Sequence, residues 1–340
     1  MNSVFAIIMS SAVAFSVTAL LGVVMIPYLH KLKFGQTILD IGPRWHKNKQ
    51  GTPTMGGIMF IVAIVGAIVV TFATDKIMGG DLIGGDNLQK NIFYTRFWSG
   101  IIMALGFALV GFLDDYIKVK RRRNLGLTAL QKTAVQLALS VGYLWSMYMT
   151  GDNTMFLPFV GQVPMGWFYW IFGICVIYGT INAVNFTDGI DGLCSSVTVT
   201  AAFSLLVIAF MRKNLGAGLL SSALMGGAAG FLIWNHHPAK VFMGDTGSMF
   251  LGGMIVAISY ALECPLIILL VGIVYVIEAL SDVIQIGYFK LSHGKRFFKM
   301  APVHHHFEMS GWKENKIVTV FSLVNLLGGI AAIVVMYFGK

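Results

Sequence analysis

Long unbroken apolar runs constrain this chain more than any other feature. They lie near 3–29, 55–73, 97–115, 129–149, 167–184, 195–211, 217–235, 247–262, 265–289 and 316–338. A helix of roughly 20 apolar residues crosses the hydrocarbon core of a bilayer. Backbone groups in lipid must be satisfied internally, which leaves helices or closed barrels, and continuous rather than alternating apolar residues select helices. Only 11% of the residues are charged and 56% are hydrophobic, whereas soluble domains carry about 25% charged residues. The chain therefore reads as an all-α polytopic membrane protein of about ten transmembrane helices. No internal repeat and no Pro-, Ser- or Gly-rich linker divides it, so residues 1–340 are expected to form one domain. The first run lacks a basic leader and a small-residue cleavage site, and is expected to stay as a helix. Cys175, Cys194 and Cys264 are too scattered to indicate a disulfide framework or a zinc site.

Ten spans put both termini on one side and sort the connections into two sets. The set 30–54, 116–132, 236–246 and 290–316 holds 18 of the 24 Lys and Arg. The excess of positive charge on cytoplasmic loops makes that face cytoplasmic and leaves both termini outside. The connection after 184 carries no Lys or Arg, yet its parity puts it on the same face. Asp114, Asp115, Asp188, Asp191 and Asp245 then all emerge on one side. The formal charge of +9 follows from this topology and from attraction to anionic headgroups. A sharper reading is that the face handles a multiply anionic substrate; no nucleic-acid partner is expected.

Each polar block has a local explanation beside a functional one. Asp114 and Lys118 stand at i and i+4, with Asp115 turned about 100° away. The pair can hold a hard cation or take a proton while the lysine binds phosphate, or it can be a helix end with a salt bridge. Asn182, Asn185, Asp188 and Asp191 recur every third residue before Gly192, lining one side of an opening helix able to read a base and ribose or ligate a metal. Capping and turn chemistry accounts for Gly189 and Gly192, but not for asparagines inside apolar sequence. Asp245, in Gly244-Asp245-Thr246-Gly247, sits where a metal or phosphate can approach the backbone, or caps the helix that follows. His304, His305 and His306 cannot all face one centre on a helix, so zinc is disfavoured; imidazoles there can donate to phosphate, or form an exposed patch. The segment Gly51-Thr52-Pro53-Thr54-Met55-Gly56-Gly57 can offer amides and Lys49 to phosphate, or simply punctuate a helix entry. Glu278 and Asp282, at i and i+4 in an apolar run, are intramembrane acids whose expected partner is a Lys or Arg; a proton path is the rival use.

Taken together, Asp114-Asp115-Tyr116-Ile117-Lys118, Asn182 to Gly192, Phe242 to Ser248 and Ala301 to Glu308 resemble the signature blocks of the polyprenyl-phosphate N-acetylhexosamine-1-phosphate transferase superfamily. They recur in family order over nearly the whole chain, and 44–57 matches as well. The triple histidine is similar to that of the branch acting on muramoyl-pentapeptide; Phe186, where leucine is usual, is an apolar exchange. The resemblance implies a dimeric, magnesium-requiring enzyme of the bacterial cytoplasmic membrane. It would transfer phospho-MurNAc-pentapeptide from UDP-MurNAc-pentapeptide to undecaprenyl phosphate, giving lipid I and UMP. It also implies Asp245 as magnesium ligand, with Lys49, Thr54, Asn182, Asn185, Asp188, Asp191 and Phe242 on the nucleotide side, Phe242 stacking on uracil. Lys118, Lys132, His304 and His305 would meet phosphate or the leaving UMP.

Asp114 and Asp115 would either orient the lipid phosphate and take its proton or form an aspartyl phosphate. Direct attack is expected, because a phosphate monoester with a second pKa of about 6 is already an oxyanion near neutral pH. Two alternatives remain at this point. One is a sibling transferase using UDP-N-acetylglucosamine; the other is a proton-coupled transporter using Glu278 and Asp282, which would require inverted repeats.

Overall fold

In the computed structural model, residues 1–32, 49–80, 82, 87–121, 125–151 and 153–339 are described, with residues 87–89 as backbone only. Lys33, Arg44, Lys47, Arg122 and Arg123, which contribute to the basic face read from the sequence, lie outside them. The apolar runs fold as helices α1 (Ser3–Lys31), α2 (Gly57–Ile77), α3 (Asn87–Arg121), α4 (Ala129–Met149), α5 (Phe168–Thr187), α6 (Leu193–Met211), α7 (Leu215–Asn235), α8 (Gly244–Ala261), α9 (Ile268–Val271), α10 (Ile273–Leu291) and α12 (Glu314–Phe338), and the histidine segment between the last two as the short helix α11 (Val303–Glu308). Strands β1 (Thr154–Leu157) and β2 (Gly161–Pro164) form an antiparallel hairpin between α4 and α5, with Thr154 opposite Pro164. The apolar runs alone do not predict this hairpin.

Among the described residues seven helices are long and apolar enough to cross a membrane, or eight if the bent pair containing α9 and α10 is one span. The chain is a multi-pass membrane protein. Helices α4 and α8 complete the ten segments expected, although neither reaches the same hydropathy. For α8 the reason is its place: every residue from Thr246 to Ala261 is buried. A helix wrapped by others needs no lipid-compatible face, so glycines and serines that allow close approach replace bulky apolar residues. Gly57 of α2 and Gly247 of α8 meet backbone to backbone, a Cβ on Gly57 falling 2.3 Å from the Gly247 Cα.

The ninth-span region departs from expectation. The sequence reads 265–289 as one helix, but a 3₁₀ turn (Pro265–Ile267) and α9 meet α10 at Gly272 with a bend of 87°. Such a break frees backbone groups that lipid cannot satisfy. Asn325 of α12 supplies the partners: its amide donates to the Val271 carbonyl at 2.9 Å and its oxygen accepts from Val274 N–H at 3.3 Å. The same amide donates to Thr200 Oγ1 at 2.9 Å, anchoring the clamp to α6. Beyond the break, α10 turns one stripe inward, with Val274, Tyr275, Glu278 and Ser281 buried.

Contacts at the bundle's ends fix which loops share a side. The amino terminus bonds Asp75 at the end of α2, Phe159 N–H of the hairpin donates to the Gly339 carbonyl, and Phe156 N–H donates to the Glu263 carbonyl just beyond α8. Both termini and the hairpin therefore lie at the end where α8 finishes. The opposite end holds the start of α8, the start of α2 and the close of α3.

Candidate active site

Helix α8 starts at a turn that only its neighbours make possible. Gly244 has φ +70°, and a Cβ there would lie 2.5 Å from Asp115 Oδ2 and 2.8 Å from Thr54 Oγ1, so glycine is required. Residues 53–57 are stitched to the turn: Phe242 N–H donates to Pro53 O, Gly56 N–H to Phe242 O and Gly57 N–H to Met243 O. Thr54 is buried beside Gly244, while Phe242 is half-buried. Asp115, from the last turns of α3, caps the new helix. Its Oδ1 accepts from Asp245 N–H at 3.3 Å, and its Oδ2 accepts from Thr246 N–H at 2.9 Å and Thr246 Oγ1–H at 2.7 Å. An anion is favoured there because the first amides of a helix lack internal partners and carry the positive end of its dipole.

The capped turn projects Asp245 into a ring of charged and polar groups. Lys132 of α4 donates to Asp245 Oδ2 at 2.7 Å, Lys118 of α3 reaches the same oxygen at 3.3 Å, and Asn185 of α5 donates to Oδ1 at 3.0 Å. Lys118 also bonds Asp114 Oδ2 at 2.6 Å, the i,i+4 bridge anticipated above, while Asp114 Oδ1 accepts from Leu127 N–H at 2.8 Å. One oxygen each from Asp114, Asp115 and Asp245 lies within 4.8 Å of the other two. Three carboxylates opposed by two lysines form an all-oxygen donor set, which suits a hard cation such as magnesium and not zinc.

A second cluster adjoins the first. Asp191 accepts from Lys49 at 2.8 Å and from Ala239 N–H at 3.0 Å, and lies 2.9 Å from His237 Nδ1. Glu314, at the start of α12, accepts from Lys49 at 2.7 Å and from Asp191 N–H at 3.1 Å. Burial opposes ionisation of Asp191, but Lys49, the Ala239 amide and His237 outweigh it and hold the carboxyl below its ordinary range. Asp188 behaves oppositely. Burial first, then the charges of Asp245, Asp115 and Asp191, push its carboxyl well above that range. Two acids three residues apart are thus shifted in opposite directions, because only Asp191 has Lys49, the Ala239 amide and His237 beside it. Among the described residues the Asp188 side chain has no hydrogen-bond partner, whereas the structure draws in His237 and Glu314, which the sequence reading missed. An acid opening a span and a histidine before a proline on the same basic face were the available signals.

Not every residue singled out in the sequence joins these clusters. Asn182, one turn before Asn185, donates to Gln136 Oε1 and Tyr178 O and so faces α4. The three histidines take three different partners, as helical geometry requires. His304 Nδ1 pairs with Glu278, His305 Nδ1 with Glu308, and His306 Nδ1 accepts from Lys299 N–H. The expected Lys or Arg partner of Glu278 is thereby corrected: its α10 stripe faces α11, so the first histidine fills that place.

Comparisons with known proteins identify the family. The family described as Glycosyl transferase family 4 matches residues 97–263, and the phospho-N-acetylmuramoyl-pentapeptide-transferase signature 1 matches residues 49–61. The chain is 41% identical over 338 residues to the phospho-N-acetylmuramoyl-pentapeptide-transferases of Listeria welshimeri serovar 6b and Listeria monocytogenes serotype 4b, covering 99% of this chain and 100% of each relative. To the enzyme of that name in Clostridium perfringens strain 13 it is 42% identical over 322 residues, covering 94% of this chain and 96% of the relative.

Proposed function

Because the chain belongs to the phospho-N-acetylmuramoyl-pentapeptide-transferase family, we propose that the cluster of Asp114, Asp115 and Asp245 is where its chemistry takes place. The reaction is transfer of phospho-MurNAc-pentapeptide, in peptidoglycan synthesis, from UDP-MurNAc-pentapeptide to a polyprenyl phosphate, which we take to be undecaprenyl phosphate; the products are lipid I and UMP. The observation that carries the site assignment is the meeting, within 4.8 Å, of carboxylate oxygens from α3 and α8, beside two lysines from α3 and α4.

The donor is a water-soluble anion and the acceptor a lipid, so the site must stand where bilayer meets water. The excess of Lys and Arg on the connections at this end favours the cytoplasmic face, with both termini outside. Phosphoryl transfer needs in-line positioning and neutralised charge more than covalent help. Lys118 and Lys132 are placed to neutralise phosphate oxygens. Magnesium would be held by Asp245 with Asp114 and Asp115 beside it, and when bound would supply further neutralisation of the diphosphate. Asp115 commits both oxygens to the start of α8, so it sets the position of Asp245. Asp114, held by Lys118 and the Leu127 amide, is assigned to orient the lipid phosphate beside that lysine and to take its proton, with direct attack by that phosphate. Asn185, Asp188, Asp191 and Lys49 form the nucleotide side with Phe242, and His304 and His305 serve the phosphate or the leaving UMP. A homodimer is part of the same reading.

UMP release from the purified protein with UDP-MurNAc-pentapeptide, undecaprenyl phosphate and magnesium tests this. The reaction should stop with EDTA and should not proceed with UDP-N-acetylglucosamine. Turnover in EDTA, or a preference for the second donor, would contradict it.

A further inference from the structure

We propose that Glu278 is a positioning residue for His304, fixing the imidazole through Nδ1 so that Nε2 is the atom offered to the donor substrate. This rests on the functional reading above. Both side chains are 0% exposed, and Nδ1 lies 3.0 Å from Glu278 Oε2. Among the described residues Glu278 has no Lys or Arg partner, and Asp282, one turn further along α10, makes no hydrogen bond to the imidazole. A carboxylate in such surroundings is strongly disfavoured unless it is paired, and acids kept inside membrane proteins mark working sites by default.

The pairing has a chemical consequence. A carboxylate at Nδ1 places the proton there and sets the ring's rotation, leaving Nε2 as the second functional atom. Nε2 is buried and without a partner. It abuts Gly189, the residue after Asp188: a Cβ on Gly189 would fall 2.2 Å from it. Only a residue lacking a side chain leaves this nitrogen uncovered by one. An unmet buried polar atom is destabilising, and a phosphate or hydroxyl oxygen of the donor would relieve it. The imidazole then holds or receives a proton at Nε2, with the Glu278 carboxylate balancing any charge; no bond to carbon or phosphorus is made by either residue.

The test is steady-state UMP release by the full-length purified protein carrying Glu278→Ala, Glu278→Gln, His304→Ala or the Glu278→Ala/His304→Ala pair. Loss of the outer partner of a working histidine costs about 10- to 100-fold, so Glu278→Ala should lower kcat by that factor and leave donor KM within about threefold. Glu278→Gln, whose amide oxygen still accepts from Nδ1–H, should retain most of the activity. The double variant should be no slower than His304→Ala alone. Losses that multiply, or a Gln variant as impaired as Ala, would overturn the proposal. Should Glu278→Ala fail to fold, Gly189→Ala tests the same geometry, because its Cβ must displace the ring; combined with His304→Ala it should add no further loss, and a multiplied loss would overturn the proposal. An inactive wild type would remove the functional reading with it, whereas multiplied losses in an active enzyme remove this inference alone.

Discussion

Replacing Gly111 by alanine should disable the enzyme without touching a charged group. Gly111 lies on the face of α3 that packs on α8, one turn before Asp115. A Cβ there would fall 2.2 Å from the Asp245 carbonyl oxygen, 2.4 Å from its carbon and 2.6 Å from Thr246 N. All three are backbone atoms, so no side chain can swing aside, and restoring van der Waals distance needs a local separation of about 1 Å, with an overpacking cost of about 1–3 kcal/mol. The shift falls on the cap that Asp115 provides at 2.9 Å to Thr246 N–H, stretching it beyond hydrogen-bond range and moving Asp245 away from Asp114. Misplacement by about 1 Å can cost around 100-fold in rate. UMP release and thermal unfolding in detergent would be measured beside Gly142→Ala, a helical position where nothing lies within 4 Å of the added carbon. The control should match wild type or gain up to about 1 kcal/mol in stability. A Gly111→Ala protein turning over at the wild-type rate would refute the claim that backbone contact between α3 and α8 sets the carboxylate geometry.

Asp114→Asn should abolish turnover while calorimetry still detects binding of the UDP donor; near-normal turnover would remove its role toward the lipid phosphate. Asp191 has its carboxyl held below the ordinary range, so its stabilising contribution is present above that range and fades as pH falls through the folded value. Asp191→Asn should therefore lower the unfolding midpoint at neutral pH and flatten its decline toward acid, and an unchanged acid limb would count against the Lys49 network. Asn325→Leu orphans the Val271 carbonyl and Val274 N–H at the helix break, and a loss of about 2–4 kcal/mol is expected from unmet buried groups; unchanged thermal stability would mean that the break does not depend on the clamp.

The positions of most spans were legible because lipid demands continuous apolar helices, and the shared side of the aspartates followed from parity. What stayed hidden depends on contacts across the chain. Gly272 between valine and isoleucine looks like a tolerated helical glycine, and only Asn325, over fifty residues later, makes a right-angled break there sustainable. In the site, Asp114 with Lys118 was readable from helical spacing, as was the impossibility of one centre for three histidines. Capping was anticipated near Asp245, but no local pattern shows that the cap comes from Asp115. Likewise the spacing of Asn182 and Asn185 suggests equal roles, yet packing against Gln136 turns Asn182 toward α4 while Asn185 reaches Asp245.

Binding of Mn²⁺, a paramagnetic substitute for magnesium, followed by electron paramagnetic resonance in wild type and in Asp245→Asn, shows whether the carboxylate cluster is a divalent-cation site. If Asp245 holds the divalent ion beside Asp114 and Asp115, the bound signal should appear in wild type, broaden on adding the UDP donor and be lost in Asp245→Asn. A variant that binds Mn²⁺ as tightly as wild type would contradict the account.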